Sequence, residues 1–371
     1  MSEHQVYEFV VLDRPLTEKQ MAELRAISSR AEISASRFWN AYDWGDLKAD
    51  PAKLMERYFD AHLYSANWGT HRLMLRVPRA RIDAKALAEY FGTSAAGMRI
   101  AGDSVILDLV SQDEERDYDD ESEGSLAALA PLRAELMRGD LRVAYLAWLS
   151  AVTCGEVDDE AREPPVPPGL ASLTAAQDAL IDWLRIDTDL LSAAAATSSQ
   201  DDDRGAFAAW VAKLPARAKD EWIRRAADDP ELALGSELLR AFRARSKPKD
   251  ASPRRTLGEL RAAADAHAEA RRRAGQARAE KAKRAEAAAK TKRLDALAKR
   301  LVGAWNELEE LVAKSSYDAA LTLASELREL AMRDGESIAF GERFDGLRKR
   351  QQRRRGFFDR WNRASRAAPN R

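Results

Sequence analysis

A chain of 371 residues, 45% apolar and 33% charged, is long enough for two or three domains, and its charge excess implies solvated helix faces. No uncharged apolar run approaches the roughly 18 residues of a membrane span, which excludes an integral membrane class and a membrane partner. The net charge of −1 conceals a split: from Arg254 onward 29 Lys and Arg face 17 Asp and Glu, leaving −13 for residues 1–253, as expected for a basic arm or for two halves that attract each other.

Residues 1–111 alternate strand and helix signals, which predicts an α+β head domain. Val6 to Leu12 reads as a buried strand. Thr17 opens a helix through a capping box with Gln20, and Met21, Leu24 and Ile27 give it an apolar stripe. A second strand is expected from Ile33 to Trp39. Asp50 and Pro51 form a helix start, followed by Leu54, Met55, Tyr58 and Phe59 at helical spacing. Two strands flank Asn67-Trp68-Gly69. In the second, Leu73, Leu75 and Val77 alternate with Arg72, Met74 and Arg76, which predicts one buried face and one wet face. A short helix from Asp83 to Tyr90 leads to a hairpin turning at Gly102-Asp103 into Ser104 to Val110.

Residues 112–124 form an acidic loop and 125–155 a helical pair broken at Gly139-Asp140, the second helix apolar all round and so buried. Residues 156–171 read as an acidic, Pro-rich linker. Residues 172–245 read as a small helical bundle with a capping box at Thr174 and Gln177. A further helix start is expected at Asp229-Pro230, with Trp183, Trp210, Trp222 and Phe242 as core anchors. Residues 246–253 are a polar linker.

The remainder predicts an all-α body. Thr256 and Glu259 open a helix running to about Ala313, roughly 85 Å long. Its first part, 254–293, is basic and nearly devoid of large apolar residues. From Leu294 the apolar positions Leu294, Leu297, Leu301, Ala304, Leu308 and Leu311 follow a heptad seam of coiled-coil type. Ser315-Ser316 break the helix, and two shorter amphipathic helices follow. Residues 294–355 are therefore expected to form a helical hairpin or three-helix unit, and 356–371 a basic tail. The 294–311 seam can pair within the chain or between chains, so an oligomer stays open.

The sequence carries little sign of chemistry. No phosphate loop, dinucleotide fingerprint or nucleophile elbow is present, so no catalytic residue and no cofactor is expected. The four histidines and Cys154 lack metal-ligand spacing, although His62 and His71 could meet across the 61–77 hairpin. A calcium-loop fragment begun at Asp119 fails at Ala130, where a bidentate Glu is needed. A single cysteine rules out a disulfide framework within the chain, and the charged first twenty residues do not read as a signal peptide, which suits the cytoplasm. Among the head aromatics, Trp44 and Trp68 are candidates for partner binding, together with Arg72 on the wet strand face. Candidates for nucleic-acid contact are Arg271, Arg272, Arg273, Lys283, Arg284, Lys292 and Arg293 in the long helix, and Arg348, Arg350, Arg353, Arg354 and Arg355 near the C-terminus. The expectation is a non-enzymatic interaction or scaffold protein with an unknown protein partner. The alternative is a nucleic-acid-associated protein.

Tyr7-Glu8-Phe9, Asp13-Arg14-Pro15-Leu16-Thr17, Trp44-Gly45-Asp46-Leu47-Lys48 and Ala66-Asn67-Trp68-Gly69-Thr70 resemble a family of uncharacterised bacterial proteins. The resemblance continues through Glu163-Pro164-Pro165-Val166-Pro167-Pro168-Gly169, the basic helix and Tyr317-Asp318-Ala319-Ala320. It brings no catalytic residues. It places the chain near SWIM-type zinc-finger proteins, which implies a protein or nucleic-acid partner.

Overall fold

The structure, a computed structural model, describes residues 3–112, 126–198, 204–229, 232, 234–245 and 254–367. Outside them lie the acidic loop from residue 113, Pro230, the linker 246–253 and the last four residues. The chain divides into two compact units, Met1–Ala270 and Arg271–Arg371.

The first unit is built on a seven-stranded antiparallel sheet in the order β2-β3-β1-β4-β5-β7-β6. Its strands are β1 (Gln5–Val10), β2 (Glu32–Ile33), β3 (Arg37–Tyr42), β4 (Ala61–Ala66), β5 (Thr70–Pro78), β6 (Ala96–Ala101) and β7 (Ser104–Gln112). The strand expected from Ile33 to Trp39 is interrupted. The Ser34 hydroxyl accepts from the amides of Ser36 and Arg37 at 3.3 and 3.1 Å, which turns the chain before pairing resumes at Arg37.

Register puts Phe9, His62 and Met74 in one row across β1, β4 and β5, and Leu63, Leu73 and Leu109 in a row on the opposite face. Helices α1 (Glu18–Ile27) and α2 (Pro51–Arg57) cover the first face, where Leu24, Leu54 and Met55 share a core with Phe9, Phe38, Met74 and Ile106. The face of β5 expected to be wet is therefore covered. Met74 is fully buried, and Arg72 and Arg76 are half-buried and paired with Asp108 and Asp60. Burial alone would raise the Asp60 carboxyl, but the amides of Leu12 and Asp13 and the Arg76 guanidinium outweigh it and hold the carboxyl below its ordinary value.

Beyond the short α3 (Ala84–Ala88), helices α4 (Leu126–Leu129), α5 (Pro131–Met137), α6 (Arg142–Thr153), α7 (Ala175–Leu184) and α8 (Thr188–Ala195) close the other face. Helix α6 is buried from Val143 to Val152, as its all-round apolar sequence predicts. The expected domain divisions do not coincide with the compact units, because α4 to α8 share one core with the sheet. Residues 156–171, read as a linker, are strapped into that core. Glu163 is 3% exposed, accepts from the Tyr145 hydroxyl, and holds the Arg255 guanidinium at 2.5 and 2.9 Å. Of the four expected anchors of 172–245, Trp183 belongs to the sheet core. Trp210 and Phe242 meet instead in a separate cluster with Phe207, between α9 (Arg204–Lys213) and α11 (Leu234–Arg245). Trp222, on α10 (Ala216–Asp228), is half-exposed beneath Arg225, and Asp229 caps the C-terminus of α10; the helix start expected at Pro230 lies outside the described residues.

Helix α12 (Leu257–Lys299) starts in the first unit, with Leu257, Leu260 and Ala264 in its core and a capping box between Thr256 and Glu259. It stops at Arg300, where the Arg300 amide bonds the Leu297 carbonyl and the backbone leaves helical geometry. The helix expected to reach Ala313 is thus two, α12 and α13 (Leu301–Ala313). The second unit adds α14 (Tyr317–Arg333), α15 (Ser337–Arg350) and α16 (Arg355–Ala367). The heptad residues Leu294, Leu297, Ala304 and Leu308 are buried in its core with Leu323, Leu327, Phe344 and Leu347. Of residues 356–371, expected as a tail, 356–367 instead belong to α16, whose Phe357, Phe358 and Trp361 are buried in the same core. Among the described residues no helix is long and apolar enough to cross a membrane.

Candidate nucleic-acid interface

The middle of α12 is unlike every other helix among the described residues. The 23 residues 271–293 are exposed without exception. They contain ten Lys and Arg and two Glu, and no apolar side chain larger than Ala. Ala, Arg, Lys and Glu are strong helix formers, so local propensity sustains the helix here without a packed face. Arg271, Arg272, Arg273, Lys283, Arg284, Lys292 and Arg293 all lie in this stretch, and Arg278 and Lys281 share its exposure.

The ends of the stretch differ in their electrostatics. Lys290 pairs with Glu329 at 3.0 Å and Arg293 with Glu326 at 3.1 Å, both on α14. Arg284 pairs with Glu280 of its own helix at 3.0 Å. By composition, 271–284 holds seven cations and one carboxylate. At about 100° per residue these cations surround the helix, and no sector wider than about 100° lacks one. The two glutamates of α14 leave no trace in the local sequence of α12. Only the packing of the second unit brings them to Lys290 and Arg293.

The C-terminal arginines are not brought to this stretch. Arg333 of α14 pairs with Asp295 at 2.6 Å, whereas Arg360 of α16 pairs with Asp318 at 3.1 Å and Arg354 donates to the Ser315 hydroxyl at 2.9 Å. The basic stretch meets α14 at Glu326 and Glu329, whereas Arg360 meets it at Asp318, eight residues or more toward its start. Most of the second group is occupied. Arg350 is held by Glu309 at 2.9 and 3.0 Å, and Arg348 lies over the rings of Phe344 and Phe358. Arg353 and Arg355 are exposed.

In the head, Trp44 is 74% and Trp68 40% exposed. Their turns flank the start of β1, where His4 bonds Asp43 through its ring at 2.8 Å and Asn67 through its amide at 3.0 Å. The turn bearing Trp44 is fixed from below. Gln5 donates to the Gly45 carbonyl at 2.6 Å, and the Tyr7 hydroxyl donates to Asp46 at 2.5 Å. Burial and the Asp46 carboxylate push the neighbouring Tyr64 phenol up to about 12, so it stays neutral. Arg72 does not join the tryptophans as a free cation, because Asp108 holds it in a two-pronged pair at 2.6 and 2.7 Å. The other head aromatics divide between core and half-buried positions: Phe38, Tyr58 and Phe59 are buried, and Trp39, Tyr42 and Tyr64 are partly covered.

His62 and His71 do not meet. His62 stacks on Phe9 at 3.9 Å between ring centres, and His71 stacks on Trp183 at 4.3 Å on the opposite face of the sheet. No group of three His, Cys, Asp or Glu among the described residues is placed to hold a metal ion. No family model, curated protein or solved structure matches the chain.

Proposed function

We propose that this chain is an interaction protein whose docking element is the basic stretch of α12 and whose partner is a nucleic acid. One observation carries the reading: 23 consecutive exposed residues with a net charge of +8 and no apolar side chain larger than Ala. A helix that only spaced two folded bodies would balance its charges, because like charges three or four residues apart destabilise it. A protein partner would seek buried aromatic or aliphatic anchors, and the stretch has none. A membrane surface would need an apolar face opposite the charges. Phosphate neutralisation with counterion release requires only the cations.

The test is binding of the full chain to a short DNA duplex followed by fluorescence anisotropy across a salt series. About six phosphate contacts give a log–log slope near −5. The triple variant Arg272→Gln, Lys281→Gln and Lys283→Gln should lower that slope by about 3 while leaving the circular dichroism unchanged. Absence of binding to duplex or single-stranded nucleic acid at about 50 mM salt would end this reading.

A further inference from the structure

Resting on that reading, we infer that residues 271–286 seat lengthwise in the major groove of B-form DNA. The distribution of charge carries this step. The cations surround the helix rather than lining one side. A flat or one-sided polyanion would leave half of them facing solvent, at the cost of mutual repulsion. A groove with phosphates on both walls engages both flanks of the helix at once, more of the cations than a one-sided surface reaches. Helix diameter, about 10–12 Å with side chains, matches the B-form major groove, about 12 Å wide. The minor groove, about 6 Å wide, is too narrow for it. The major groove of A-form RNA is narrow and deep, and closed to a helix of this girth.

The side chains between the cations fit the same geometry. Ala274, Gly275, Ala277, Ala279, Ala282 and Ala285 give the helix a thin body, which lets its backbone approach the groove floor. Every one of these residues is exposed. Continuous basic helices crossing the major groove are an established way to hold a duplex. Gln276 is the one amide in the stretch, so contact falls mainly on phosphates and sequence preference is weak.

Four ligands of equal length test the inference against the full chain: a DNA duplex, the same duplex with glucosylated 5-hydroxymethylcytosine, an RNA duplex and single-stranded DNA. Sugars fill the major groove without altering the phosphates. Expected is at least about tenfold weaker binding to the glucosylated and RNA duplexes than to plain DNA, with netropsin in the minor groove leaving plain DNA binding unchanged. A second variant separates shape from charge. Ala282→Pro keeps every cation, lies far from both buried ends of α12, and breaks the helix. It should weaken plain DNA binding about tenfold and leave single-strand binding within about twofold. Equal affinity for plain, glucosylated and RNA duplexes, or an Ala282→Pro variant that binds plain DNA like the parent, would overturn the groove assignment and leave the nucleic-acid reading standing. Failure to bind any of the four ligands would overturn both.

Discussion

His62 is fully buried beside Phe9, with its Nδ1 hydrogen-bonded to the Glu8 carbonyl at 2.9 Å and no partner for Nε2 among the described residues. Burial holds its pKa down to about 3, and the positive charge of Arg72 adds to the effect, against the Glu8 carbonyl. In the unfolded chain the ring takes up a proton near 6.5. The unfolded state thus binds more protons between those two values, so the stability due to neutral His62 is complete above about 6.5 and declines as pH falls toward 3, by up to about 1.4 kcal/mol per pH unit. His71 is lowered by burial in the same way and adds to the acid sensitivity. Urea unfolding at pH 7 and pH 5 should show the parent losing about 1–2 kcal/mol more than His62→Gln over that interval. Equal losses would mean that His62 protonates in the folded state. At this scale the sequence was legible where partners are local: the capping boxes at Thr17 and Gln20 and at Thr174 and Gln177 form as expected. Glu163 was not legible, because the Arg255 that allows its burial lies 92 residues away.

Element boundaries were legible from caps and prolines, and illegible where charge masked an apolar stripe. Asp50 and Pro51 start α2, with the Asp50 carboxylate accepting from Ala52 at 2.8 Å. The run Arg353-Arg354-Arg355 conceals that Phe357, Phe358 and Trp361 recur on one face of α16. Phe357 is fully buried against Phe344 and Tyr317, so α16 is a structural member of the second unit. Phe357→Ala should destabilise that unit by about 3–5 kcal/mol, read as a lower thermal midpoint for the Trp305 and Trp361 fluorescence transition. A shift of less than about 1 kcal/mol would return residues 356–371 to the status of a tail. Of the apolar positions spaced in threes and fours, Leu294, Leu297, Ala304 and Leu308 are buried and Leu301 and Leu311 partly so, yet that spacing hid the interruption at Arg300, since three-four periodicity continues across a single non-helical residue.

For the whole molecule, composition separated an acidic part from a basic part but placed too many divisions between them. Domain readings rest on local contrasts such as the Pro-rich run at 163–169. A buried core is a long-range property, and here Leu75, Leu149, Leu184 and Leu257 belong to one. The candidate interface was legible as charge and illegible as shape. The sequence named the cations of 271–293, but grouped them with arginines that the second unit holds at the other end of α14. That packing also pairs Lys290 and Arg293 with Glu329 and Glu326 of α14.

The unpacked middle of α12 also bears on how the chain meets a protease. Both ends of the helix are anchored in apolar cores, but residues 271–289 touch neither core and can open locally at a lower cost than unfolding either unit. Trypsin cuts after Lys and Arg, which are concentrated in this stretch. Brief digestion should therefore nick α12 first and leave two resistant fragments, one ending and one beginning near residues 271–293. Bound duplex DNA should slow that nick by covering the same arginines, so cleavage rate becomes an independent gauge of occupancy on a chain whose fluorescence need not change.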